Sequence, residues 1–109
     1  MGKVPDLTYE EFEKILKSET KPIIVDTWAP WCAPCKGIEP LFEQLSEQYG
    51  DKIRFVRMNM DTEYLFAQKH MVQNLPTFVV FKDGKPYNSL IGAKRNKLKD
   101  LVEKTANGN

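Results

Sequence analysis

Apolar positions along the 109-residue chain alternate between a spacing of 3.6 residues and a spacing of two, and each switch marks an element. Phe12, Ile15 and Leu16 share one helical face. The helix they predict starts at Thr8, because Thr8 and Glu11 have capping-box spacing and Leu7 with Phe12 can form a hydrophobic staple. Ser18 to Lys21 breaks the pattern. Ahead of this helix, Gly2 to Asp6 reads as a short strand that Pro5 confines to a sheet edge. Pro22 to Trp28 is apolar on both alternating faces except at Asp26, as a central strand covered on two sides would be. Pro34 to Tyr49 returns to the helical period, with Cys35, Ile38, Leu41, Phe42, Leu45 and Tyr49 inward and Glu39, Glu43, Glu47 and Gln48 outward. Gly50 supplies its stop, and Pro40 within it predicts a bend.

Ile53 to Met60 predicts the next strand and Thr62 to Lys69 a short helix. Strand, helix, strand, helix is the order of a parallel sheet with right-handed crossovers. The pattern then changes, since Thr77 to Phe81 and Pro86 to Ile91 are joined by Lys82-Asp83-Gly84-Lys85, and Asp-Gly signals a tight antiparallel hairpin. A last helix from about Lys94 buries Leu98, Leu101, Val102 and Thr105. The expectation is one α/β domain over residues 1–109, a central mixed sheet of four to five strands with helices on both faces.

Composition narrows the function. Sixteen basic against fifteen acidic residues leave a net charge of +1, which gives no general field for nucleic acid or an anionic membrane. No apolar run approaches the ~20 residues that cross a bilayer. Asp6, Glu10, Glu11 and Glu13 are foreign to a secretory leader, and Asp6 stands where a myristoylation motif after Gly2 needs Ser or Thr. The expectation is a cytoplasmic monomer without nucleic-acid or membrane partners. Lys94, Arg95, Lys97 and Lys99 form a basic cluster that is either solvated surface or a docking patch for an acidic partner.

The two cysteines, Cys32 and Cys35, carry the chemistry. Residues three apart lie on one helix face, so their sulfurs can close and open a disulfide without remodelling the backbone. Where thiols are kept reduced, such a short loop is redox-active rather than a staple. Structural zinc would need four ligands, and the chain adds only His70. At the strand-to-helix junction, unpaired helical N–H groups face Cys32 and favour its thiolate. A helix terminus is worth ~0.3 to 2 kcal/mol against ~1.4 kcal/mol per pKa unit, enough to bring a thiol from ~8.5 toward neutrality. Cys32 is thus the expected nucleophile, and Cys35, one turn in, the resolving thiol. Pro34 fits the first turn, where a missing N–H costs nothing. Asp26 is either a structural carboxylate or one whose proton affinity burial raises, so that it can take the proton of Cys35. Trp28 reads as packing beneath the site, and Met58 and Met71 as core fillers.

A Cys-x-x-Cys beside a strand-helix-strand pattern is the thioredoxin-like redox arrangement. The strand Val25-Asp26, Trp28-Ala29-x-Trp31-Cys32-x-Pro34-Cys35-Lys36, Pro40, Leu75-Pro76-Thr77, Phe81-Lys82-Asp83-Gly84 and Gly92-Ala93 together resemble the thioredoxin family over nearly the whole chain. The resemblance implies the thioredoxin fold and a general thiol-disulfide oxidoreductase that reduces protein disulfides in cell redox homeostasis. It implies no bound cofactor beyond a redox-active Cys32–Cys35 disulfide, no metal, recharging by a flavoprotein thioredoxin reductase, and disulfide-containing client proteins. It also implies a cis Pro76 that exposes the backbone of Leu75 to a substrate strand, in a groove with Trp31, Met60, Asn74, Gly92 and Ala93. Arg57 would reach Asp26 from the neighbouring strand; otherwise it is a snorkelling strand residue. Ala33 stands where most of the family has Gly, Arg57 where many have Lys, Asn74 where a small residue is common, and Thr27 where Phe is common. Ala33, Pro34, Lys36, Arg57 and Trp28 are expected to tune the site. A disulfide oxidase or isomerase, and a clamp that grips partners through Trp31 and Pro76 without turnover, remain as alternatives.

Overall fold

Thr8 opens the first helix as its spacing predicts. Its hydroxyl accepts the Glu11 N–H at 3.1 Å, and Glu11 Oε1 accepts the Thr8 N–H at 2.8 Å, closing the capping box. The structure, a computed structural model, describes residues 4–108. In chain order the elements are α1 (Tyr9–Ser18), β1 (Ile23–Trp28), α2 (Ala33–Tyr49), β2 (Arg54–Asn59), α3 (Tyr64–Lys69), β3 (Thr77–Lys82), β4 (Lys85–Ile91) and α4 (Arg95–Ala106).

The strands form one mixed sheet in the order β2-β1-β3-β4, with β1 parallel to β2 and the other neighbours antiparallel. Asp83 and Gly84 turn the hairpin between β3 and β4 with φ of 54° and 79°, the left-handed pair that a two-residue hairpin turn requires. Central β1 is buried at every position except Trp28, which is half-buried.

Because strand side chains alternate, the sheet separates two cores. Ile24, Phe55, Phe78 and Val80 pack with Ile38, Leu41, Phe42 and Leu45 of α2 and Leu98, Leu101 and Val102 of α4. On the other side, Ile23, Val25, Val56, Met58, Val79 and Phe81 pack with Phe12 of α1 and Phe66 of α3.

Two expectations hold with a difference in detail, and one, the burial of Met71, needs correction. The sheet has four strands among the described residues: Gly2 and Lys3 lie outside them, and the rest of the expected first strand contributes one parallel bridge, Asp6 to Arg57. Pro5 accepts the Arg57 N–H through its carbonyl but has no N–H to extend the ladder. Met71 is not a core filler; it is 77% exposed, on a loop where its own φ of 56° turns it outward. Gly50 does end α2, but with a right-handed φ of −63°. Glycine is needed there for closeness, since a Cβ would lie 2.6 Å from the Ser46 carbonyl oxygen.

Candidate active site

Strand β1 delivers the chain to the site and α2 begins there. Cys32 is the N-cap of α2, in extended conformation, and its Sγ accepts the Cys35 N–H at 3.2 Å. A first-turn N–H thus already points at this sulfur, as the helix start requires. Pro34 sits in the first turn, where α2 has no use for its N–H. Cys32 and Cys35 form a disulfide with their Cα atoms 5.3 Å apart, and both residues are buried. Ala33, Pro34 and Lys36 around them are exposed.

Ala29, Trp28 and Leu75 pack against the disulfide. Leu75 arrives through the cis Leu75–Pro76 peptide bond, so the cis proline that the resemblance implied is present. The Pro76 carbonyl accepts the Gly92 N–H at 2.8 Å, tying the Gly92-Ala93 turn to the proline. Behind it, the Thr27 hydroxyl donates to the Thr77 carbonyl at 2.6 Å and accepts the Thr77 N–H at 3.0 Å. The Met60 N–H donates to the Trp28 carbonyl at 2.8 Å, and Met60 itself is buried. Trp31 is 69% exposed, yet its Nε1–H is fixed by Asp61 Oδ1 at 3.0 Å. Asn74 and Ala93 are exposed. Asn74 also borders a cavity of about 460 Å³ that runs from Met71 to Tyr87 and Ile91, away from the disulfide.

Asp26 is fully buried, on the same face of β1 as Ile24 and Trp28. Burial is the largest influence and pushes its carboxyl from 3.8 up to about 7, against the pull of Arg57. Arg57 does reach it across the Asp26–Arg57 register of β1 and β2, with Nε 3.5 Å from Oδ2. Arg57 also places Nη1 2.8 Å from Glu39 Oε2 and lays its guanidinium over the Trp28 indole, 4.4 Å from the ring centroid. Trp28 Nε1–H donates to Asp6 Oδ1 at 3.1 Å.

Sequence reasoning missed three of these residues. Helical periodicity sets Glu39 facing solvent, Asp6 reads as part of an edge strand and as a residue foreign to a leader or a myristoylation motif, and Asp61 carries no signal of its own. The basic cluster of Lys94, Arg95, Lys97 and Lys99 is exposed around the start of α4. Among the described residues no three His, Cys, Asp or Glu side chains are grouped so as to hold a metal ion.

A disulfide at a helix N-terminus, with Leu75 of the cis Leu75–Pro76 pair packed against it and a buried carboxyl group on the strand that leads into it, defines a protein built for dithiol-disulfide exchange. The thioredoxin family model matches residues 3–104. The H-type thioredoxin of Chlamydomonas reinhardtii is 47% identical over 90 residues, spanning 83% of this chain and 80% of that protein. The thioredoxin of Coprinus comatus is 41% identical across 88% of this chain and 91% of its own. Among solved structures, Malassezia sympodialis thioredoxin is similar with a TM-score of 0.89 and 33% identity, covering 97% of this chain and 93% of that one. Plasmodium falciparum thioredoxin gives 0.86 and 36%, covering 93% and 97%. The chain belongs to the thioredoxin family and is a thiol-disulfide oxidoreductase whose redox group is its own disulfide.

Proposed function

We propose that the chain reduces disulfides of client proteins as a general electron donor, with Cys32 attacking, Cys35 resolving and Asp26 accepting a proton. The hydrogen bond from the Cys35 N–H to Cys32 Sγ carries this reading, because it marks Cys32 as the sulfur at which a helix start stabilises negative charge. In the reduced protein the Cys32 thiolate attacks one sulfur of the client disulfide. That S–S bond breaks, a Cys32–client bond forms, and the other client sulfur leaves as a thiolate. Cys35 then gives its proton to Asp26 and attacks Cys32 Sγ. The Cys32–Cys35 disulfide forms, the client's second sulfur departs, and two electrons have passed to the client.

The exposed, anchored indole of Trp31, with Asn74, the Leu75 backbone, cis Pro76, Gly92 and Ala93, would receive the client segment as an added strand. Recharging by a flavoprotein thioredoxin reductase, a monomeric state and a cytoplasmic address belong to the same proposal. Relatives named for the chloroplast make a plastid the competing address, which cell fractionation decides.

The test is Cys35→Ser incubated with a disulfide-bonded client. A covalent complex seen without reductant, and dissolved by dithiothreitol, is expected. Recovering it with Cys32→Ser instead would exchange the two roles, and recovering none with either variant would remove the mechanism.

A further inference from the structure

A buried carboxylate beside a guanidinium ordinarily closes into a two-pronged ion pair. Asp26 and Arg57 do not. Nε of Arg57 lies 3.5 Å from Asp26 Oδ2, and neither Asp26 oxygen nor that Nε has a hydrogen-bonding partner among the described residues. Another nitrogen of the guanidinium is engaged elsewhere. Nη1 lies 2.8 Å from Glu39 Oε2 and 3.8 Å from Asp6 Oδ2, while the Trp28 ring lies against the guanidinium.

Both acidic residues are themselves held. Asp6 bridges Arg57 through the backbone, where the Leu7 N–H donates to the Arg57 carbonyl at 2.8 Å and the Arg57 N–H donates to the Pro5 carbonyl at 2.9 Å. Its Oδ1 is occupied by Trp28 Nε1–H. Glu39 is fixed on α2 immediately before Pro40.

The geometry points to Glu39 and Asp6 as positioning residues for the proton acceptor: they draw the Arg57 guanidinium off Asp26, so that the buried carboxylate has a cation beside it without being locked to it. This rests on the reading of Asp26 as the group that takes the Cys35 proton. A cation in full contact lowers a carboxylate pKa by ~1 to 3 units, and an Asp26 so bound would stay ionised and collect no proton. With Arg57 held back, burial prevails, and Glu39 and Asp6 add to the upward push.

The groups around Asp26 are few. From β2 comes Arg57, from α2 Glu39, and from the N-terminal segment Asp6. Across β3 its neighbour is Phe78, and α4 brings Leu98, Leu101 and Val102 to that core.

The experiment follows the Asp26 carboxyl by carbon-13 NMR titration of the oxidised protein, in wild type, Glu39→Gln, Arg57→Met and the double variant. In parallel, reduction of insulin disulfides is measured against pH. Glu39→Gln should lower the Asp26 midpoint by about one pH unit, as a released guanidinium closes on it, and Asp6→Asn should shift it the same way by less. Arg57→Met should raise it, and adding Glu39→Gln to Arg57→Met should move it by less than half as much as Glu39→Gln alone. An unmoved midpoint in Glu39→Gln overturns the proposal. Equal shifts in both backgrounds overturn it too, since Glu39 would then act on Asp26 directly. If the midpoint moves as expected and the pH–rate profile moves with it, the positioning role and the acceptor role both stand. A moved midpoint with an unmoved profile upholds the positioning and removes Asp26 as proton acceptor.

Discussion

Strand β1 presents two faces that differ by one residue of register and by most of their physics. Ile23 and Val25 meet α1 and α3 in a core of rings: Phe12 and Phe66 at 5.5 Å, Phe12 and Phe81 at 4.9 Å, His70 and Phe81 at 5.1 Å, all edge to face. Such pairs add to what their buried area contributes. Ile24, Asp26 and Trp28 lie on the opposite face, where α2 packs, and Asp26 is a buried carboxyl group with Arg57 as ion-pair neighbour but no hydrogen-bonding partner among the described residues. One face makes stability, and the other gives some up to bury a carboxyl group.

Each face also holds one group whose ionisation burial disturbs, and the two have opposite signs. His70, on the aromatic side, has its pKa lowered by burial first and by Lys69 second. Between its folded value and the unfolded 6.5, the unfolded chain binds more protons, so its contribution makes stability rise with pH. Asp26 is raised from 3.8 to about 7, so the folded chain binds more protons between these values, and its contribution makes stability fall as pH climbs through that window.

The largest effect should come from the aromatic face. Phe66 is the buried residue of α3 and touches the rings of Tyr9, Phe12, His70 and Phe81. Phe66→Ala is expected to cost ~3 to 5 kcal/mol in urea unfolding, with the disulfide-reduction rate per folded molecule within about twofold of wild type. A tenfold loss of rate would show that the two faces are coupled and break the comparison.

Asp26→Asn should act in the other direction. The displacement from 3.8 to about 7 corresponds to at most ~4 kcal/mol, present below pH 3.8 and lost by the time pH passes 7. The variant should therefore be more stable than wild type at pH 8, by an amount that shrinks toward pH 4, and slower in reducing disulfides. Its own stability should rise between pH 4 and 6.5, because His70 and the lowered carboxyl of Glu19, held chiefly by the Lys21 N–H, are then the disturbed groups left. Equal stabilities of the two proteins at pH 8 would make Asp26 an ordinary satisfied aspartate.

Most of the fold was legible because its signals are local. Thr8 with Glu11, Asp83-Gly84 and the apolar alternation of β1 each announce an element within a few residues. The cysteine pair was legible for the same reason, its partners being three residues apart. What escaped depends on contacts between distant segments. Periodicity can say that Glu39 leaves the core of α2, but not that Arg57 of β2 waits there. Nothing near Asp6 announces the Trp28 indole. Met71 misled because apolar identity predicts burial, whereas a loop residue with positive φ answers first to the backbone. The cis bond before Pro76 came only from the resemblance, since the general frequency of cis X-Pro bonds is ~5 to 6%.

The smallest effect tests where the two faces meet. Thr27 is the polar residue that β1 turns toward the aromatic side, and both of its hydrogen bonds go to the backbone of Thr77, one residue past cis Pro76. Valine has nearly the same shape but can neither donate nor accept. Thr27→Val should leave the Thr77 groups less well satisfied, at about 1 to 2 kcal/mol for a buried site, and the loss should be the same at pH 5 and pH 8 because no titrating group is touched. Leu75 packs on the disulfide from the other end of that proline, so loosening Thr77 should raise KM for a protein disulfide more than it lowers kcat. Thermal unfolding at the two pH values, run beside steady-state kinetics, separates the possibilities. A loss that grows with pH would mean that Thr27 acts on Asp26 through the strand, and the two faces would then share one electrostatic system.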